Sequence, residues 1–184
     1  MSFRYEIRLS GSGGQGLILA GQILAEAAAV YDDYNATQSQ SYGPEARGGA
    51  SRSEVIISDE EIDYPKALQL DLVLALTQEA CNRYAADLKP GGILLVDSTE
   101  VKKLPQGDFK VFAVPITEIA EKELGKKVVA NVVAVGVIVG LSRILTPPAT
   151  ERAIGARAPR GTEEINLKAF RKGLETAETL RKSL

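Results

Sequence analysis

Tyr5-Glu6-Ile7-Arg8-Leu9-Ser10-Gly11-Ser12-Gly13-Gly14-Gln15-Gly16 is the stretch that decides the fold. Tyr5, Ile7 and Leu9 alternate with Glu6, Arg8 and Ser10, the period-two pattern of a β-strand with unlike faces. The strand runs straight into a G-x-G-x-x-G turn made by Gly11, Gly13 and Gly16. From Leu17 to Val30 the chain reads LILAGQILAEAAAV, rich in Ala and Leu, and this predicts a helix. Strand, glycine turn and helix in that order is the context in which such a motif has physical meaning. Gly11 permits a tight exit from the strand, Gly13 lets backbone approach a ligand, and Gly16 lets the helix pack close to the sheet. The helix start offers N–H groups and a partial positive charge that suit phosphate or carboxylate. The same glycines equally suit a turn that holds no ligand.

Further strands follow at Ser53 to Ser58, Leu70 to Leu76, Ile93 to Val96 and Phe109 to Val114. Helices are expected at Gln78 to Leu88, stopped by Pro90-Gly91-Gly92, and at Pro115 to Leu124, stopped by Gly125. Val128 to Leu145 has the β-branched content of a strand but the length of a helix, so it reads as a buried helix. Gly136 and Gly140 along it permit close contact with a neighbour. Asn131 and Arg143 interrupt it, and a membrane span needs about 20 apolar residues. Pro147-Pro148 ends it, Ala149 to Ala158 forms another short helix, and Asn166 caps an amphipathic helix through Leu184. The segment from Asp32 to Gly49 reads as a long polar connection, and such connections usually carry function or partner contacts. The acidic run Asp59-Glu60-Glu61 reads as solvated surface.

Strands alternating with helices imply an α/β fold. The expectation is a doubly wound, mostly parallel sheet of about five strands, Rossmann-like, with C-terminal helices. Residues 1–184 form one domain, with a helical extension from about 147 to 184. Ligands of such sheets bind beyond the strand C-termini, an edge that here includes Gly11–Gly16, Thr77 and Asp97-Ser98. A dinucleotide site also needs an acid about 20 positions past the glycines, at the end of the next strand, to hold a ribose. Asp32 and Asp33 come too early, and Tyr34 to Pro44 contains no acid. NAD is therefore poorly supported, and the alternative of a stand-alone Rossmann-like nucleotide- or anion-binding protein is weakened.

Composition narrows the chemistry. The 184-residue chain carries a net charge of −2, so no overall field draws it to nucleic acid or an anionic membrane. It has no histidine and a single cysteine, Cys81, so it can form no internal disulfide. Zinc sites and iron–sulfur clusters built from this chain alone are excluded in practice. Chemistry here rests on carboxylates, Lys, Tyr and backbone groups, or on groups that partners supply. One thiol fits a reducing cytoplasm, and the N-terminus lacks the apolar core of a signal peptide. Cys81 itself reads as a small core residue.

Ser41-Tyr42-Gly43-Pro44-Glu45-Ala46-Arg47-Gly48-Gly49-Ala50-Ser51 is the most specific stretch in the chain. Gly43-Pro44 sets a turn, Glu45 and Arg47 place opposite charges together, and Gly48-Gly49 leaves the backbone bare. Taken with GSGGQG, LAEAA, the following SRSEVIIS, Ile62, Pro65 and NVVAVGVIVGL, it resembles the gamma subunit of 2-oxoacid:ferredoxin oxidoreductases. This is the pyruvate/ketoisovalerate oxidoreductase gamma-domain family. The likeness runs in order from about Ile7 to Leu145. The SYGPEARGG form is most similar to the 2-oxoglutarate-type branch.

The resemblance implies a complex that oxidatively decarboxylates a 2-oxoacid, transfers the acyl group to coenzyme A and reduces ferredoxin. Thiamine diphosphate supplies the carbanion chemistry and iron–sulfur clusters carry electrons, both held mainly by other subunits. This chain would hold no catalytic residue and no metal. Carried over are Gly11, Gly13, Gly14, Gln15 and Gly16 as the ligand-facing turn. Tyr42, Gly43, Glu45, Arg47, Gly48 and Gly49 carry over as the interface segment. Arg47 suits an anion or a partner carboxylate, and it equally suits an internal pair with Glu45. Asn131 is either a satisfied core amide or a contact near the turn. The implied partners are thiamine-binding and ferredoxin-like subunits, with ferredoxin reached through the complex and neither nucleic acid nor membrane involved. Isolated from them, the chain is expected to self-associate.

Overall fold

The computed structural model of the chain describes residues 2–42 and 50–184. The strands are β1 (Arg4–Ser12), β2 (Asn35–Tyr42), β3 (Ala50–Ser58), β4 (Leu70–Ala75), β5 (Leu88–Asp97) and β6 (Phe109–Val114). They form one six-stranded sheet in the order β2-β3-β1-β4-β5-β6. β1, β4, β5 and β6 run parallel, whereas β3 lies antiparallel to both β1 and β2. The fold is therefore α/β with a mixed sheet, parallel in one half and antiparallel in the other. The helices are α1 (Leu17–Glu26), α2 (Gln78–Tyr84), α3 (Ile116–Glu118), α4 (Ala130–Ser142), α5 (Pro147–Arg157) and α6 (Glu163–Lys182).

The sixth strand is β2, which occupies part of the segment expected to be a connection. Its sequence, NATQSQSY, offers no large apolar residue before Tyr42, because an edge strand has no deep face to fill. Its register is set by the ladder to β3, from Asn35 opposite Ser58 to Tyr42 opposite Ser51. Further differences concern helix ends. α2 stops at Tyr84, and Pro90-Gly91-Gly92 lies within β5. Pro147-Pro148 opens α5, since proline needs no N–H donor in a first helical turn. Asn166 is not the cap of α6. Thr162 holds that position, and the Asn166 amide donates to the Thr162 carbonyl at 2.9 Å from inside the first turn. Glu163 and Glu164 suit the positive end of the helix dipole there.

One face of the sheet carries α1, α4, α5 and α6 over Ile7, Leu9, Val55, Ile57, Leu72 and Leu74. The other carries α2 over Val73, Ala75, Leu94 and Val96, with Cys81 in that layer. The polar alternates of β1 face this second layer and are buried, not solvated. Glu6, Arg8 and Ser10 are each under 10% exposed. Glu6 accepts the backbone N–H groups of Leu68 and Gln69 at 2.6 and 2.8 Å, and Ser10 donates to the Leu74 carbonyl at 2.6 Å. Buried polar groups of this kind must find partners, and here they pin the approach to β4.

α4 is the central helix, with every residue from Asn131 to Val139 buried. Gly136 and Gly140 are its contact points, as their spacing implied. A Cβ on Gly136 would strike the Phe170 carbonyl, and one on Gly140 would strike the Ala177 methyl. The matching small residue on α6 is Gly173, where a Cβ would strike the Val133 carbonyl. α1 makes its own close approach through Gly21, which leaves room for Ser53 of β3. Among the described residues no helix is long and apolar enough to cross a membrane.

Candidate functional site at the glycine turn

β1 and β4 are adjacent and parallel, and the helices that follow them leave to opposite faces of the sheet. That divergence opens a crevice beyond their C-terminal ends, the place where open α/β sheets take ligands. The glycine turn forms one wall. Ser12 ends β1 opposite Ala50 of β3. Its backbone N–H donates to Gln15 Oε1 at 2.7 Å, and Gln15 N–H returns to the Ser12 carbonyl at 3.4 Å. Gln15 is thus a staple of the turn, and its side chain fills the space a Cβ on Gly11 would need. Gly14 and Gly16 have φ of 85° and 73°, a region that favours glycine.

Gly16 occupies the N-cap of α1, and no side chain caps this helix. Its first N–H groups are left to solvent or ligand, with no acidic residue in the first turn to compete for them. What approaches Gly16 is not the sheet but Asn131 of α4. The Asn131 amide donates to the Gly16 carbonyl at 3.1 Å, and Asn131 is 4% exposed. Both readings of Asn131 hold at once: it is a satisfied core amide, and it sets the turn.

Two small clefts flank the turn. One, of about 230 Å³, lies between Gly14, Gly16, Leu19, Lys126 and Asn131. The other, of about 180 Å³, lies between Gly14, Gln15, Leu76, Thr117 and Lys127. Val128 borders both and is 77% exposed. Lys126, Lys127 and Val128 were not among the candidates drawn from the sequence, because nothing local ties them to a turn 110 residues earlier. Thr117 is held by Asp97, fully buried at the end of β5, which accepts its hydroxyl at 2.5 Å and its N–H at 3.2 Å. Thr77, also at this edge, caps α2 by accepting the Ala80 N–H at 3.2 Å. The site so assembled has free backbone donors, two ammonium groups and apolar slots. It suits an anionic group joined to an apolar one.

The second motif reaches the same sheet edge. Tyr42 pairs with Ser51, and Ser51 pairs with Gly11. Gly43, Glu45, Arg47, Gly48 and Gly49 lie outside the described residues. Cys81 is fully buried, and burial pushes its thiol above the ordinary range, as expected of a core residue.

The sheet argues against a dinucleotide unit. In such a unit the strand after the glycine helix lies parallel beside the first strand and brings the ribose acid to the crevice. Here β2 goes to the far edge, antiparallel to β3, and β1 has β3 and β4 as neighbours. The glycine motif sits in a different wiring.

Comparison with known proteins agrees. The family model described as pyruvate ferredoxin/flavodoxin oxidoreductase matches residues 6–176. The chain belongs to this family. Within it, the chain is 50% identical over 182 residues to the 2-oxoglutarate synthase subunit KorC of Methanocaldococcus jannaschii. That match covers 98% of this chain and 97% of the relative. It is 31% identical over 181 residues to the pyruvate synthase subunit PorC of Thermotoga maritima, covering 93% of each. The crystal structure of a keto/oxoacid ferredoxin oxidoreductase gamma subunit from Geobacter sulfurreducens superimposes with a TM-score of 0.89 at 54% identity. It covers 96% of this chain and 98% of that one. The oxidoreductase family thus supplies the frame that the glycine motif alone could not.

Proposed function

We propose that this chain is the gamma subunit of a 2-oxoglutarate:ferredoxin oxidoreductase, one domain over residues 1–184, working in the cytoplasm. The observation that carries the reading is the near-full-length identity to a 2-oxoglutarate synthase subunit, well above that to the pyruvate synthase subunit. In this reading the assembled enzyme converts 2-oxoglutarate and coenzyme A to an acyl-coenzyme A and carbon dioxide, passing two electrons to ferredoxin.

The chain's own residues do not fit the redox or carbanion cofactors. Iron–sulfur clusters need several thiolates, and the single cysteine is buried in the α2 layer. Among the described residues no group of three or more acidic, His or Cys side chains gathers to hold the metal of a diphosphate cofactor. In this reading thiamine diphosphate and the clusters are held by companion subunits. The role left to this chain is binding and orientation. The uncapped N–H groups at the start of α1 and the ammonium groups of Lys126 and Lys127 suit the phosphates of coenzyme A, and the clefts beside Val128 suit its less polar parts. Gln15 and Asn131 keep the turn in the shape that presents those donors. The segment Tyr42–Gly49 contacts the companion subunits.

The test is reconstitution. The chain alone should show no 2-oxoglutarate- and coenzyme A-dependent reduction of ferredoxin, and co-expression with thiamine-binding and ferredoxin-like companions should produce it. Turnover by the isolated chain would overturn the reading.

A further inference from the structure

α4 starts beside the glycine turn, where Asn131 bonds Gly16, and is capped at its other end by Arg143, so Arg143 marks the pole of α4 away from the turn. At that pole a cleft of about 680 Å³ opens between the end of α4, the start of α5 and the end of α6. Its floor is apolar, from Val139, Leu145 and Leu174, and its rim carries Arg143, Arg181 and Lys182. A second cleft of about 420 Å³ adjoins it beneath β6, shares Arg181, and adds Lys110. The one acidic side chain lining the two clefts, Glu178, pairs with Lys182 at 3.2 Å. Among the described residues Arg143, Arg181 and Lys110 have no carboxylate within ion-pair reach. Three cations without a carboxylate partner, beside the paired Lys182, give these adjoining clefts a positive rim on a chain whose net charge is −2.

Arg143 adds an independent mark. It ends α4 in the left-handed region, with φ of 54°, where glycine is the least strained choice. Arginine at that position accepts backbone strain and keeps a guanidinium at the rim. A free small anion would neutralise the rim but leave the apolar floor wet. A polypeptide segment with acids flanking apolar side chains satisfies both, and charge complementarity of this kind fixes register between subunits.

We propose that this basic pole seats an acidic, amphipathic segment of a companion subunit, on the side of the chain away from the glycine turn. The inference rests on the subunit reading above. The test uses the complex purified from its source cell through a tag on this chain. Zero-length carbodiimide coupling should join Lys110 or Lys182 to Asp or Glu of a companion. Exchanging both arginines, R143E with R181E, should lower companion retention at low salt by about tenfold or more. R143Q with R181Q, milder at these surface positions, should lower it less, and added salt should weaken the wild type toward that level.

Companions retained by R143E/R181E as by the wild type, with Lys110 and Lys182 coupled only inside the chain, would overturn the proposal. Coupling of these lysines to a second copy of this chain would overturn it in favour of self-association. Protection of both lysines in the isolated chain by micromolar inorganic pyrophosphate would overturn it in favour of a small-anion site. Absence of any companion in the purified complex would instead sink the subunit reading itself.

Discussion

The side-chain amide of Asn131 donates a hydrogen bond to the carbonyl of Gly16, 3.1 Å away and 115 residues apart in sequence. It ties the start of the most buried helix to the turn that would face a ligand. The Gly16 carbonyl also accepts the Ala20 N–H at 3.1 Å, so losing Asn131 does not leave it without a donor. Asn131→Ala should therefore cost about 1–2 kcal/mol, the lower part of the range for a buried hydrogen bond plus a small cavity. Asn131→Asp should cost more, since it sets a buried carboxylate against a carbonyl oxygen. Urea midpoints of the three proteins check both.

Gly14 and Gly16 share a positive φ but not an environment. A Cβ at Gly14 meets nothing, whereas one at Gly16 meets the Asn131 side chain. Gly14→Ala should cost about 1 kcal/mol, from backbone strain alone. Gly16→Ala should cost about 2–3 kcal/mol, from strain and overlap together. Because the overlap is with a side chain, Asn131→Ala should relieve part of it. The double variant should then be more stable than the sum of the single losses predicts, a coupling readable from a double-mutant cycle.

Gly136 and Gly173 face each other across α4 and α6, and a methyl on either would strike backbone of the other helix. Backbone cannot swing aside as a side chain can. Gly136→Ala should destabilise by about 3 kcal/mol, the upper end for overpacking, and lower the melting temperature by several degrees. Gly155→Ala, on α5 with open space around it, is the control, and it should be neutral or slightly stabilising.

Cys81 and Tyr5 both have their pKa values raised, Cys81 by burial, Tyr5 first by burial and then by the Asp71 carboxylate. The folded chain keeps these protons at a pH where the unfolded chain releases them. The folded state then binds more protons, and stability falls as pH rises past the unfolded values, about 8.5 for a thiol and about 10 for a phenol. Cys81→Ala should flatten the fall that begins near about pH 8.5, and Tyr5→Phe the further fall that begins near about pH 10. Slopes of urea midpoint against pH are the measurement, since each substitution also shifts the midpoint at pH 7. A Cys81→Ala slope equal to the wild type would refute the assignment.

Much of this was written in local residue patterns. β1 and the turn were legible because period-two alternation meets glycine at the strand's end, and α4 because no strand of a small sheet is so long. β2 was not, since Asn35 to Ser41 carries small polar residues whose only claim to a strand is the ladder to β3. Nor could alternation reveal that β3 runs antiparallel, because direction leaves no trace in a pattern of faces. The glycines were legible as a turn, but the lysines and valine beside them were not. Lys126, Lys127 and Val128 join the site only through the packing of α4 against Gly16.

Those two lysines are the sharpest handle on the binding reading. Each is exposed, and Lys127 has only a loose contact, 3.9 Å, with Glu121. An exposed ammonium facing a phosphate contributes roughly 0.5–1 kcal/mol, a factor of about two to five in affinity. In the assembled enzyme, Lys126→Gln and Lys127→Gln should each raise the KM for coenzyme A by about that factor, with kcat and the KM for the oxoacid nearly unchanged. The wild-type KM for coenzyme A should climb with salt, and the double variant should lose most of that climb, because screening acts on the charges that were removed. If the variants change kcat but not this KM, the turn serves assembly, and the phosphates of coenzyme A are held elsewhere.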